Sequence, residues 1–189
     1  MANITIDTSN LTALINKATL VNALLAKRAL GRGLQKIAAQ GMTAAKSEIA
    51  KQYNVKARDV AKRITVKVKA TQATIQAKSR SAKSSRIPVI DFMTAAAKNK
   101  TKSGISFTIS KASGKKQFKH AFIATMPNGY QGVYERIPGT RKLKELKGID
   151  VTQMMTGKRV LPAVTSKINA NATKVMTHEL QFELSRAGM

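Results

Sequence analysis

Residues able to do acid–base, nucleophilic or metal chemistry are few in this chain: two histidines, His120 and His178, nine carboxylates and no cysteine among 189 residues. A Ser–His or Cys–His nucleophile needs its base within hydrogen-bond reach and oriented by a third group. His120 falls at a strand start and His178 inside a helical pattern, and neither sits in a motif of that kind. The carboxylates are Asp7, Glu48, Asp59, Asp91, Glu135, Glu145, Asp150, Glu179 and Glu183. Only Glu179 and Glu183, on adjacent helical turns, have a spacing a metal could use, and they read as a solvated face opposite the helix's apolar stripe. Gly31-Arg32-Gly33 has helical pattern on both sides and no preceding strand, so it fails the context test for a dinucleotide-binding loop. No catalytic, metal-binding or cofactor-binding residue is expected, and no cofactor.

Positive charge, by contrast, is abundant. The chain holds 34 Lys and Arg against 9 Asp and Glu, a formal charge of +25. A domain so charged repels itself, which points to an acidic partner: nucleic acid, an anionic membrane or an acidic protein surface. Between Lys62 and Lys119 the single acid is Asp91. The cations Lys78, Arg80, Lys83, Arg86, Lys98, Lys100, Lys102, Lys111, Lys115 and Lys116 fall in three loops, 78–86, 98–103 and 111–117. They are the candidate contacts to DNA or to an acidic protein, suited to neutralising phosphates without reading bases. A sequence-specific reader is disfavoured, since no zinc finger, RNA-recognition aromatic signature or basic region leading into heptads is present. No stretch approaches the roughly 20 apolar residues that span a bilayer, so the expectation is an intracellular, soluble protein with no membrane partner.

The elements that must carry these loops follow from periodicity. At 43% hydrophobic but 4% aromatic, the core must be built from Ala, Ile, Leu, Val and Met, which favours helices. Asn3 to Asp7 alternates as a short strand, and residues 7–10 offer helix N-caps. Leu11, Leu14, Ile15 and Ala18, and later Leu30, Leu34, Ile37, Ala38, Met42, Ala45 and Ile49, recur at helical spacing. The Ala-rich face predicts close helix packing, with a kink near Gly31 to Gly33. Val55 to Arg63 reads as a short helix. Strands are predicted near 64–69, 73–78, 87–91, 105–110, 119–126 and 130–137, with Pro88 marking an edge. Ile149 to Met155 reads as strand or extended loop. A last helix opens around Pro162 and carries Val164, Ile168, Ala172, Val175, Met176, Leu180 and Leu184 as its stripe.

The clearest local signal is a hairpin over 118–138. Asn128-Gly129 is suited to both central positions of a type I′ turn, and Tyr130, Gly132 and Tyr134 should share one face of the outgoing arm. Its aromatics read as packing residues. The fold class is therefore α+β: N-terminal and C-terminal helices on a mostly antiparallel sheet with long basic loops. A single domain over 1–189 is expected, helical at 9–63, sheet at 64–137, connecting at 138–160 and helical again at 161–186.

The order of these parts resembles the prophage minor tail protein Z family, the tail-completion proteins of long-tailed phages. The likeness runs from about residue 20 to 185. It rests on the Ala-rich helical region, Val55-Lys56-Ala57-Arg58-Asp59-Val60, the strand Arg86-Ile87-Pro88-Val89-Ile90, the Ala121-Phe122-Ile123 to Gly129 segment followed by Val133-Tyr134-Glu135-Arg136, and the helix announced by Pro162. The resemblance implies a non-enzymatic virion subunit in the tail or neck, a homo-oligomeric ring matching sixfold tail symmetry. Its implied neighbours are tail terminator, tail tube or head–tail connector proteins, and double-stranded DNA would pass through the ring. A free, sequence-nonspecific nucleic-acid-binding protein is the alternative that the charge alone supports.

Overall fold

The small residues of the N-terminal half are gathered on one face of helix α1, Ala23–Gln52, where Ala26, Ala29, Gly33, Ala38, Gly41 and Ala45 are all buried. In the computed structural model, which describes residues 2–6, 23–69, 72–77, 86–98 and 104–188, α1 is an unbroken helix of 30 residues. Gly33 and Gly41 mark close approaches along it. A Cβ added at Gly33 would collide with the Met176 sulfur, and one at Gly41 would lie 2.5 Å from Ile75 Cδ1 and 2.9 Å from Ile168 Cδ1. Gly33, near which a kink was expected, accommodates a neighbour instead, and Gly41 does the same, because what the packing needs there is a missing side chain. The predicted helix start at 7–10 and the stripe from Leu11 to Ala18 lie outside the described residues.

α2, Ala57–Ala61, follows α1 directly. Beneath α1 lies a three-stranded antiparallel sheet in the order β1, β3, β2, formed by Ala2–Ile6, Ala73–Ala77 and Ile64–Val68. Ile4, Ile75 and Val66 stand in register across it, and Ala73, Ile75 and Ala77 are fully buried under the helix. Methyl-sized neighbours on either side of Ile75 let the helix lie close to the sheet.

The remaining strands do not continue that sheet. β4, Arg86–Pro88, pairs with β10, Lys147–Asp150; β5, Ile105–Phe107, pairs with β6, Lys116–Phe118; and β7, Ala121–Thr125, β8, Gln131–Arg136, and β9, Leu143–Glu145, form a three-stranded meander. Every one of these pairings is antiparallel. The chain is thus α+β as expected, with the described strands in four small sheets instead of a continuous one. After Pro88 the backbone turns into a 3-10 segment, Val89–Phe92, instead of extending to residue 91. This segment joins two apolar clusters. Ile87 and Phe92 belong to the core under α1, while Val89 and Ile90 pack with Ile105, Phe107, Ala121 and Val133.

The segment read as connecting carries β9, β10 and a helix, α3, Val151–Met155. Asp150 caps α3 through its side chain, and Gln153 closes a capping box on the Asp150 N–H. That pattern, Asp-x-x-Gln, is a helix start, so the strand-or-loop reading of 149–155 holds only to Asp150.

The predicted hairpin is β7–β8, with Ala121 opposite Glu135 and Thr125 opposite Gln131. Gly132 and Tyr134 do share a face, the Tyr134 ring lying where a Gly132 side chain would go. The turn differs from expectation. Gly129 N–H donates to the Met126 carbonyl at 2.8 Å, Gly129 has φ of 77°, and no described non-glycine residue has positive φ. Pro127 and Asn128 are therefore the centre of a type I turn, followed by left-handed Gly129, because Pro127 presets the first central position and forbids the type I′ conformation there. Gly129→Val is expected to lower stability by about 1–2 kcal/mol through backbone strain alone, since nothing lies within 4 Å of the added Cβ. Gly129→Asn should cost less, and thermal melts of the two variants check it.

Helix α4, Val160–Arg186, runs antiparallel to α1, with Gly33 facing Met176 and Gly41 facing Ile168. It packs chiefly on α1. Val160, Val164, Ile168, Met176 and Leu180 are buried, while Ala172, Val175 and Leu184 are half-buried, so the predicted stripe is the observed one. No helix among the described residues is long and apolar enough to cross a membrane.

Candidate functional site

Glu179 and Glu183 do not face solvent. They are 2% and 1% exposed on the α1 side of α4, and Arg32 reaches both, with its Nε 3.1 Å from Glu179 and its terminal nitrogen paired with Glu183. Lys36, one turn along α1, donates to Glu179 at 2.5 Å, and the Arg32 guanidinium lies 4.7 Å from the centre of the Phe182 ring. A matched spacing carried the signal: two cations four residues apart on one long helix and two acids four apart on the other. Periodicity within α4 alone could not show it.

A second bridge ties the same helices nearer the sheet. Glu48 accepts from Lys167 of α4 at 2.6 Å and from Lys51 at 3.1 Å. Hydrogen bonds from Lys167 and Lys51 hold the Glu48 carboxyl below its ordinary value of 4.5, and the bond from Lys36 does the same for Glu179, each against the opposing effect of burial. With folded values depressed, the stability these groups contribute is present above about pH 4.5 and is lost as the pH falls through the folded values. Asp91 acts with the opposite sign, because burial raises its carboxyl and protonation then favours the fold. The expected net result is a lower denaturation midpoint at about pH 3 than near pH 7. Glu48→Gln and Glu179→Gln together should flatten that difference.

These pairs change what the charge excess means. Eight of the nine carboxylates are described, and every one is buried or half-buried. Besides the three on the helices, Asp59 is 4.0 Å from Lys62, Glu145 is 3.4 Å from Lys147 and accepts from Tyr130 at 2.6 Å, and Asp150 caps α3. Exposed cations, by contrast, occur on helices, strands and loops alike, among them Lys36, Arg58, Arg86, Lys111, Arg141, Lys144, Lys167 and Lys174. Among the described residues, the Lys and Arg side chains supply the exposed charge and no carboxylate is fully exposed.

Five of the ten candidate cations are described. Arg86 is exposed on β4 opposite Asp150, Lys98 ends a helical turn over Ala95–Lys98, and Lys115 and Lys116 are exposed at and just before the start of β6. Lys111 is fixed, donating to the Ala50 carbonyl at 2.9 Å near the end of α1, where a cation meets the negative end of the helix dipole. The structure brings Lys111, Lys115 and Lys116 onto one segment and leaves Arg86 on a separate sheet. Lys78, Arg80, Lys83, Lys100 and Lys102 lie outside the described residues. Loop-based reasoning missed the exposed cations of the helices, Lys36, Arg58, Lys167 and Lys174. His178 is exposed beside Glu179 and His120 is exposed between β6 and β7. Among the described residues no group of three or more His, Cys, Asp or Glu could hold a metal ion.

The class so defined is an α+β protein built on a helical pair, with acids turned inward and a cationic exterior. The prophage minor tail protein Z family model matches residues 8–187, and the chain belongs to that family: it is a structural protein of a phage tail and a component of the virion. No curated protein and no solved structure matches it significantly.

Proposed function

We propose that this chain is a non-enzymatic subunit of a homo-oligomeric ring, hexameric in keeping with tail symmetry, at the head-proximal end of the tail or in the neck. There it completes the tail and helps join it to the head, next to the tail terminator, tail tube or head–tail connector, with double-stranded DNA passing through. Membership in the tail protein family over nearly the whole length carries this reading. The cationic exterior supports it, because a surface with no exposed acid among the described residues suits both a DNA passage and acidic neighbours.

The test is a prophage lacking this gene, induced and examined for tails and heads separately. The expected outcome is abundant heads with tails that fail to join them, restored by supplying the chain in trans. Normal joining without it would overturn the proposal. A free, sequence-nonspecific DNA-binding protein would instead remain in solution when tails are sedimented.

A further inference from the structure

Where the C-terminal part of α1 meets α2 and the segment after β5, a cleft of about 570 Å³ opens on the surface. Lys46, Lys51, Arg58 and Lys111 line it, with Ala50, Ala57 and Ala61 among the residues that give it an apolar floor, and no carboxylate belongs to the lining. Two of the four cations are held in place. Lys51 is anchored to Glu48 at 3.1 Å and Lys111 to the Ala50 carbonyl at 2.9 Å. No described side chain pairs with Lys46 or Arg58.

We infer that this cleft is the docking site for an acidic, amphipathic segment of a different tail or head protein, one whose carboxylates flank small apolar side chains. Two features choose that occupant. The floor of methyl groups rewards burial of apolar side chains, whereas a DNA backbone would neutralise the rim and leave the floor uncovered. A second copy of this chain is a poor source of acids, since each described carboxylate is buried or half-buried and most are already paired. A cationic rim around an apolar centre is also the usual arrangement of a specific protein contact, with charge setting orientation and rate. The site is separate from the predicted basic loops, sharing only Lys111 with them.

The inference rests on the chain being built into the tail, and one experiment keeps the two apart. Particles carrying the unaltered chain are treated with a water-soluble carbodiimide, which joins a lysine amine directly to a neighbouring carboxylate, and the products are mapped by mass spectrometry. In parallel, the full-length variant Lys46→Gln/Arg58→Gln/Lys111→Gln competes with the unaltered chain for incorporation, beside a control variant Lys142→Gln/Lys144→Gln/Lys158→Gln. The expected result is amide links from Lys46 or Lys111 to Asp or Glu of another virion protein. The cleft variant should fall about tenfold in incorporation while still melting cooperatively, and the control should incorporate normally. Links only to other copies of this chain, or equal incorporation of the cleft variant, would overturn the inference while leaving the tail assignment intact. Amide links from these lysines that form only once the particles have been emptied of DNA would also overturn it, in favour of DNA. Absence of the unaltered chain from tails would overturn both.

Discussion

Arg32→Leu is expected to destabilise the protein by about 3 kcal/mol, because it leaves Glu183 buried without its ion-pair partner and takes one of the cations from Glu179. Glu179 and Glu183 are almost fully buried, and Arg32 is the ion-pair partner of both. Breaking a buried pair from one side costs roughly 3–5 kcal/mol. The lower end applies because Arg32 itself is 35% exposed and Lys36 still reaches Glu179. The same reasoning predicts a rescue: Arg32→Leu combined with Glu179→Leu and Glu183→Leu should recover most of the loss, since nothing charged is then left unpaired by the arginine's removal. Urea denaturation of the single and triple variants measures both effects. A single variant within about 0.5 kcal/mol of the parent would mean that these acids are solvated after all.

The second large effect is expected at Gly41. Any side chain there must enter the space occupied by Ile75 of β3 and Ile168 of α4, with approaches of 2.5 and 2.9 Å from the first added carbon. Overpacking of a filled core costs about 1–3 kcal/mol and sometimes more, and Gly41→Leu adds four carbons where one already collides. A loss of about 3 kcal/mol or more is expected, partly relieved by Ile168→Ala. Gly31, ten residues earlier on the same helix, has no atom within 4 Å of an added Cβ. Gly31→Ala should therefore stabilise by up to about 1 kcal/mol, the helix-propensity difference alone. Opposite signs at two glycines of one helix would show that tertiary contact, not helix propensity, requires Gly41.

Much of this architecture was legible in the sequence, and the failures share a physical pattern. Features set by near neighbours in the chain were readable: the apolar period of α4, the alternation of β2 and β3, and the pairing of β7 with β8. What required a distant partner was not. Asp150 pairs with Arg86 and Tyr53 with Ser110 across long separations, so the division into four sheets left no local trace. Glu179 and Glu183 looked solvated because the cations that permit their burial lie on α1. The turn type at Pro127 and the capping box at Asp150 were local and could have been found, since Pro-Asn-Gly equally fits a type I turn with proline at its first central position and a left-handed glycine after it, and Asp-x-x-Gln marks a helix start. For the candidate contact surface, the sign of the charge was plain. That the described acids are also withdrawn from the surface into the fold appeared only with the structure.

The account stands on the chain being a stoichiometric part of the tail at its head-proximal end, and a cryo-electron microscopy reconstruction of purified tails tests that most directly. The predicted result is density for the α1–α4 helical pair, repeated with the tail's symmetry in a ring at the head-proximal end, with the cations facing the lumen or the carboxylates of adjoining rings. Tails that are complete at that end and contain no such density would contradict it.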